Sequence, residues 1–126
     1  VDVYLNKAFD KALMNIREGS RFSIDQVTVN GGDIISKINK ETLKDNTIDI
    51  LLDKGYKVVA KEYLERLYQE QQTQQSGIYN ENTVVQENNL SAVGYFLNIK
   101  ITDESLRVLV INVSTGEYEG NATITF

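Results

Sequence analysis

Two pairs of acidic residues are the places where this sequence could perform acid–base or metal chemistry. Asp103 and Glu104 are adjacent, and Glu117 and Glu119 are separated by one residue. Paired carboxylates serve as acid and base in glycosidases and as ligands for Ca²⁺. Both pairs fall in predicted hairpin turns, where solvent-exposed acids are common. The sequence therefore favours ordinary surface charge over catalysis at both pairs.

Most of the common catalytic residue types are missing from the chain. It contains no His and no Cys, so it lacks the usual general base, metal ligands and strong nucleophile. Zinc sites, iron–sulfur clusters, thiol redox chemistry and Ser-His-Asp triads are excluded by residue type alone. We predict a protein that is not an enzyme and needs no cofactor or metal. A carboxylate-dependent hydrolase is the alternative enzymatic hypothesis.

The length and charge of the chain limit what it can bind. With 126 residues, of which 41% are hydrophobic, we expect a single domain over 1–126. The formal net charge is −5. The segment 70–126 is acidic, because only Lys100 and Arg107 offset its carboxylates. Acidic surface repels phosphate backbones, so we expect no nucleic-acid partner, and we favour a basic partner or simple solubility.

The sequence contains no candidate membrane span. No apolar run approaches the roughly 20 residues that a helix needs to cross a bilayer. The chain starts at Val1 without Met and shows no signal peptide. We therefore expect a mature form from which a leader has been removed.

The N-terminal part predicts a helix followed by a strand. Apolar residues at helical spacing form one stripe, which Gly19 is predicted to end. Residues 21–29 predict a strand with a change of phase near the middle, as a bulge would cause. The loop 30–33 follows, and Asp33 is predicted to cap the next helix. The stripe of the first helix consists of Leu5, Ala8, Phe9, Ala12, Leu13 and Ile16.

Two more helices and a short strand are predicted in the middle of the chain. The second helix covers 34–53, with a break at 44–46 and a stop at Gly55, and a strand over 56–60 follows. A third helix begins near Glu62 and leads into a Gln-rich tract, which is either a frayed surface helix or a contact segment. We predict core packing rather than interface contacts for its seam, which consists of Tyr63, Leu64, Leu67 and Tyr68.

The last third of the chain predicts a short helix and then three strands. Val84, Val85 and Leu90 lie on the short helix, and the strands cover 95–102, 106–113 and 118–126. The middle strand is apolar on both faces, which predicts cover on both sides. The last strand alternates, with Tyr118, Ala122, Ile124 and Phe126 on one face, which predicts one wet face at a sheet edge. The predicted fold class is α/β (α+β), with helices packed on a mixed sheet and a C-terminal three-stranded antiparallel meander.

Four motifs in the second half of the chain occur in a characteristic order. A short strand precedes a helix, polar residues and a glycine follow that helix, and a small-residue turn and a polar hairpin come later. The motifs are Val58-Val59-Ala60-Lys61; Glu70, Gln74, Ser76 and Gly77; Leu90-Ser91-Ala92; and Val110-Ile111-Asn112-Val113-Ser114-Thr115-Gly116-Glu117. In this order they resemble the family of bacterial envelope lipoproteins that includes the penicillin-binding-protein activator LpoB and the curli secretion lipoprotein CsgG.

The resemblance covers nearly the whole chain and is best from Leu51 to Glu117. The sequence departs from the pattern at two places, since Ala60-Lys61 stands where the family has Arg and Asn98 stands where a Gly is common. Lys61 keeps the positive charge but cannot make a bidentate contact. The loops are also too short for membrane-spanning hairpins, which argues against a channel.

The resemblance implies a domain that docks on other envelope proteins. It implies a periplasmic position at the outer membrane, with a lipid-anchoring Cys upstream of Val1, and a partner that is an envelope protein such as a penicillin-binding protein. A structural or secretion-associated subunit that self-associates through its last strand is the alternative. The candidate partner-binding residues are Lys61, Glu70, Gln74, Ser76 and Gly77, although hydrogen bonds to loop backbone and helix caps are the favoured explanation of Gln74 and Ser76.

Overall fold

The computed structural model describes residues 2–75 and 93–126 as three helices, five strands and one short 3₁₀ turn. The predicted short helix and the motif residues Ser76, Gly77 and 90–92 lie outside these ranges. The elements, in chain order, are α1 (Asp2–Ala12), β1 (Arg21–Val29), the 3₁₀ turn (Ile35–Lys37), α2 (Lys40–Asp53), β2 (Lys57–Val58), α3 (Lys61–Gln75), β3 (Tyr95–Ile101), β4 (Ser105–Asn112) and β5 (Tyr118–Thr125).

The five strands form one mixed sheet in the order β2-β1-β3-β4-β5. β1 pairs in parallel with both β2 and β3, and β3, β4 and β5 form an antiparallel meander. Parallel neighbours require crossover connections, and α2 lies in the one between β1 and β2. The predicted fold class is confirmed, and so is the position of the last strand at the edge of the sheet.

The two faces of the sheet have different environments, and we call them the inner and the outer face. α1 contacts β4 and β5 on the inner face, and α2 contacts β1 and β2. α3 contacts β1 and leaves the outer side of β4 and β5 uncovered by any described helix. The core lies between the sheet and the first two helices, and its sheet residues include Phe22, Ile24, Leu97, Ile99, Ile101, Leu106, Val108, Val110 and Ala122.

α1 buries the predicted stripe but ends earlier than predicted. All six stripe residues are buried, whereas the helix stops at Ala12 instead of before Gly19. The chain then turns so that Ile16 still reaches the core, and the hydroxyl of Tyr56 donates to the Ile16 carbonyl at 3.1 Å. A side chain from another part of the chain therefore satisfies the backbone carbonyl of this turn. Gly19, with a φ of 85°, lies in the turn that follows.

The change of phase predicted within β1 is confirmed as a bulge. Ile24 pairs with Leu97, and Gln26, two residues later, pairs with the adjacent Asn98, so Asp25 is the extra residue. A bulge disrupts the ladder locally and leaves the extra residue unpaired. Asp25 therefore needs a partner from outside the sheet.

The predicted cap of α2 is wrong, whereas its predicted end is confirmed. Asn39, not Asp33, caps the helix, because its Oδ1 accepts from the backbone N–H of Glu41 and of Thr42 at 2.8 and 3.1 Å. The 3₁₀ turn precedes this cap, so the break lies before Lys40, and α2 runs on through 44–46. Gly55 (φ 91°) ends the helix in a left-handed conformation that suits Gly.

Two predictions about the meander are corrected. β4 is covered only on its inner face, since Arg107 on its outer face is exposed and Leu109 only half-buried. In β5 the pairing skips Glu119, so Tyr118 pairs with Ile111 and faces outward, not inward with Ala122. A bulge reverses the alternation beyond it, which the sequence pattern alone did not reveal.

Candidate functional site

A groove lies between α3 and the outer face of the sheet, and we call it the α3 groove. Its volume is about 310 Å³. Apolar atoms come from Leu64 and Tyr68 of α3 and from Phe96 of β3, and polar groups surround them. The remaining lining residues are Ser23, Asp25, Lys61, Glu65 and Gln69. A concave apolar surface with a polar rim is typical of a binding site.

Lys61 fixes the start of α3 to the bulge in β1. Its ammonium group donates to the backbone carbonyl of Asp25 at 2.9 Å and lies 3.6 Å from the Asp25 carboxylate. The carbonyl that the bulge leaves out of the ladder is thereby satisfied. Lys61 thus makes its contacts within the domain, where it sets the width of the α3 groove at one end.

A second ion pair joins α3 to α2. Glu62 Oε1 lies 3.6 Å from the ammonium of Lys44. A hydrogen bond from its own backbone N–H, together with the charge of Lys44, holds the pKa of Glu62 below its ordinary value. An acid in the first turn also suits the positive end of the helix dipole. The two ion pairs together position the first turn of α3.

The tyrosines of α3 are exposed, so the prediction that they pack in the core is wrong. Tyr63 is 47% exposed and Tyr68 is 55% exposed, whereas Leu64 and Leu67 are half-buried. α3 contacts only part of one face of the sheet. The apolar stripe of α3 is therefore wider than the area of sheet that covers the helix. Exposed Tyr is enriched at protein interfaces because it combines a large apolar ring with a polar hydroxyl.

The predicted motif residues are not brought together. Glu70 is exposed and follows Lys61 by nine positions, which places it about 180° around the helix from Lys61. Gln74 lies in the last turns of α3, where side chains are not described, and Ser76 and Gly77 lie outside the described residues. Glu65 and Gln69, which are not among the predicted site residues, line the α3 groove instead. Their helical spacing from Lys61 could have indicated them.

One acid of each carboxylate pair considered for chemistry has a structural role. Asp103 accepts from the backbone N–H of Gly32 with both oxygens, at 2.8 and 3.0 Å, and so holds the loop after β1. Glu119 accepts from Asn112 Nδ2 at 3.0 Å, and its hydrogen bond contributes, after burial, to raising the pKa of Tyr95. Within the described residues no group of three acids, His or Cys could hold a metal ion. No described helix is long and apolar enough to cross a membrane.

The hairpin motif at 110–117 is explained by its own turn. Asn112 Oδ1 accepts from the backbone N–H of Ser114 and Thr115 at 2.9 and 3.1 Å. The hydroxyl of Thr115 accepts from the backbone N–H of Glu117, and Gly116 has a φ of 75°. These residue types are therefore the ones that the turn requires.

Comparison with solved structures identifies the architecture. The LpoB C-terminal domain from Escherichia coli superposes with a TM-score of 0.67 at 16% identity, over 97% of both chains. The chain has the fold of the LpoB C-terminal domain. The same domain from Salmonella enterica gives a TM-score of 0.60 at 17% identity, over 99% of this chain and 93% of that one. Lipoprotein GNA1162 from Neisseria meningitidis gives 0.52 at 14% identity, over 86% and 79%.

These structures support the LpoB-like part of the family resemblance at the level of fold. They give no support to the resemblance to CsgG. No protein-family model matches the sequence. A search of curated proteins also returns no match. At identities of 14–17% the likeness shows the fold, and function has to be argued from surfaces.

Proposed function

We propose that this chain is a non-catalytic domain of a bacterial envelope lipoprotein that binds and regulates a partner protein. In the full-length protein a lipid anchor outside this sequence holds the domain on the periplasmic side of the outer membrane. The leading candidate for the partner is a peptidoglycan synthase of the penicillin-binding-protein class. The observation that carries the proposal is the superposition on the LpoB domain over 97% of both chains. The lack of His and Cys in the sequence agrees with it.

The α3 groove is the proposed docking surface. It offers an apolar floor at Leu64 and Phe96, and Tyr68 is exposed at its rim. Tyr63 adds a second exposed ring on the same helix. The ion pairs of Lys61 and Glu62 hold the helix in place, so a partner would meet a preorganised surface and little ordering entropy would be lost.

The proposal is tested with the purified peptidoglycan synthase from the same organism. Biolayer interferometry should detect saturable binding of the domain, and the domain should change the rate of glycan-strand synthesis. Tyr63→Ala/Tyr68→Ala should weaken binding about tenfold or more, because exposed aromatic anchors dominate interface energies. Met14→Ala is the matched control, since Met14 is 74% exposed but lies beyond the end of α1. An absence of binding and of any rate change with the wild-type domain would refute the proposal.

Self-association through β5 is the second candidate function. β5 forms the edge of the sheet and has eight residues, of which only Glu119 is charged. Proteins usually protect such an edge with Lys, Pro or a short strand. Light scattering after size exclusion decides this point. A dimer that Thr125→Lys converts to a monomer would favour self-association, and a monomer at high concentration would exclude it.

A further inference from the structure

The uncovered part of the outer face carries two cations directly opposite each other. Lys100 of β3 pairs with Arg107 of β4 in the antiparallel register, and both side chains are exposed. Like charges opposite each other destabilise a sheet. The position also stands out because these two are the basic residues within the acidic segment 70–126. Local stability therefore does not account for the arrangement.

Neither cation is neutralised within the part of the chain that the structure describes. The ion pairs there involve the ammonium groups of Lys44, Lys54 and Lys61, and no carboxylate pairs with Lys100 or Arg107. The flanking strands place hydroxyls beside them, since Thr28 pairs with Lys100 and Thr123 pairs with Arg107. We call these four residues the cation row.

A second row, of three amides and one leucine, runs beside the cation row on the same face. It consists of Gln26, Asn98, Leu109 and Asn121, which pair with one another across the four strands. The residues that β1, β3 and β4 contribute to the two rows line a cavity of about 240 Å³. Among the described residues, Asn98 Oδ1 is buried here without a hydrogen-bond partner. A buried acceptor without a donor costs free energy, so this position, like the cation pair, is not optimised for the stability of the domain alone.

We propose that the two rows bind an extended acidic segment of a protein partner. The cation row would hold a Glu or Asp carboxylate, which Arg107 can grip with two hydrogen bonds. The exposed amides of Gln26 and Asn121, in the neighbouring row, would exchange hydrogen bonds with the backbone of the same segment. A peptide provides both the carboxylate and the backbone N–H groups, whereas a bare inorganic anion provides no such donor. Asn98 and Lys100 are two residues apart along β3, about 6.6 Å, which is also the repeat of side chains on one side of an extended peptide.

The position of this surface deepens the proposed function and rests on it. Phe96, which lines the α3 groove, precedes Asn98 and Lys100 on the same face of β3. The groove and the two rows are therefore continuous. A partner that inserts apolar side chains into the groove would place a neighbouring acidic segment over Lys100 and Arg107.

Fluorescence polarisation with short labelled peptides tests the inference at about 0.1 M salt. The intact domain should bind a peptide that alternates Glu and Thr, and it should not bind one that alternates Lys and Thr. Lys100→Glu/Arg107→Glu should weaken binding about tenfold or more. Lys37→Glu/Lys40→Glu changes the net charge equally at exposed sites and should leave binding unchanged. Amide NMR spectra establish that each variant is folded.

Three outcomes would overturn the inference. The first is peptide binding that is equally strong in the Lys100/Arg107 variant and the control variant. The second is competition by inorganic phosphate at the same concentration as the peptide, which would mean that any anion suffices. The third is binding of an acidic polysaccharide such as polygalacturonate but not of the peptide.

Repeating the synthase-binding experiment with Lys100→Glu/Arg107→Glu separates this inference from the proposed function. If the wild-type domain fails to bind the synthase, the proposed function fails, while peptide binding can still stand. If wild type and variant bind the synthase equally and the acidic peptide does not bind, the inference fails alone. Weakened synthase binding in the variant, with the control unaffected, supports both.

Discussion

The two faces of the sheet differ in composition and in how far the described helices cover them. The inner face is apolar, and α1 and α2 cover it. The outer face carries one helix, a groove and rows of polar side chains, with two cations that form no ion pair among the described residues. Buried apolar area supplies most of the free energy of folding. The inner face therefore maintains the fold. Residues on the outer face are less constrained by stability, and we propose that they contact other molecules.

The largest expected difference between the faces is in the cost of truncating a leucine. Leu97 on the inner face is fully buried, whereas Leu109 on the outer face is only half-buried. Leu97→Ala should lower the free energy of unfolding by about 2–5 kcal/mol, and Leu109→Ala by about 1 kcal/mol. Urea denaturation measures both. Equal losses would mean that the outer face is as important for folding as the inner one.

The contact between α1 and β5 should make Gly120 the next most sensitive position. A Cβ at Gly120 would overlap the backbone carbonyl oxygen of Ala12, at the end of α1. Gly120→Ala should therefore cost about 1–3 kcal/mol, because the helix must shift. A Cβ at Gly94 would lie 3.6 Å from the nearest atom, so Gly94→Ala is the control. Thermal unfolding should show a clear loss for the first variant and almost none for the second.

Replacing Lys61 should lower the free energy of unfolding moderately, since this side chain holds α3 on the outer face. Lys61→Ala removes the donor to the bulged Asp25 carbonyl and should cost about 0.5–1 kcal/mol, a modest value because the side chain is partly solvated. Lys37→Ala, at an exposed position, is the control. The chemical shifts of α3 should move in the Lys61 variant. Unchanged α3 signals would show that the contact between Lys61 and Asp25 does not position the helix.

Replacing Lys100 should raise stability slightly while it removes binding. Lys100→Glu converts a like-charge pair with Arg107 into an attractive one, which should add about 0.2–1 kcal/mol. The urea midpoint should therefore increase in a variant that no longer binds the acidic peptide. A decrease would indicate that Lys100 has a structural role and would remove the reason to regard the cation pair as functional.

The smallest expected effect concerns the ion pair between α3 and α2. The pKa of Glu62 is lowered in the folded state by its backbone hydrogen bond and by Lys44. Its stabilisation is therefore present above the ordinary Glu pKa and is lost as the pH falls through the lowered folded value. Wild type should be slightly more stable than Glu62→Gln at pH 7 and equal to it near pH 2. A difference that persists in acid would assign the effect to another cause.

Much of the fold could be predicted from the sequence because its signals are local. The apolar stripe of α1, the phase change in β1 and the strands of the meander all follow from side-chain periodicity. The end of α1 could not be predicted, since Tyr56 and Gly120 meet it from distant parts of the chain. The exposure of Tyr63 and Tyr68 likewise depends on how little of the sheet α3 covers.

The proposed binding surface depends on strand register, which the predicted strand ends misplace by one residue. The sequence suggested a connection of three residues, 103–105, whereas Thr102 N donates to Ser105 O across a two-residue turn. This turn sets Lys100 opposite Arg107. A slip of one residue would have put the two cations on different faces. The two cations were thus visible in the sequence, but their alignment across the two strands was not.

Chemical-shift mapping with the partner tests the central claim most directly. The isotope-labelled domain is titrated with the soluble periplasmic part of the peptidoglycan synthase, and amide shifts are followed. We predict that the perturbed residues cluster on α3 and on the outer side of β3 and β4, around Tyr68, Lys100 and Arg107. Shifts that cluster on α1 and α2, or a complete absence of shifts at saturating partner, would contradict the claim that the outer face is the binding face.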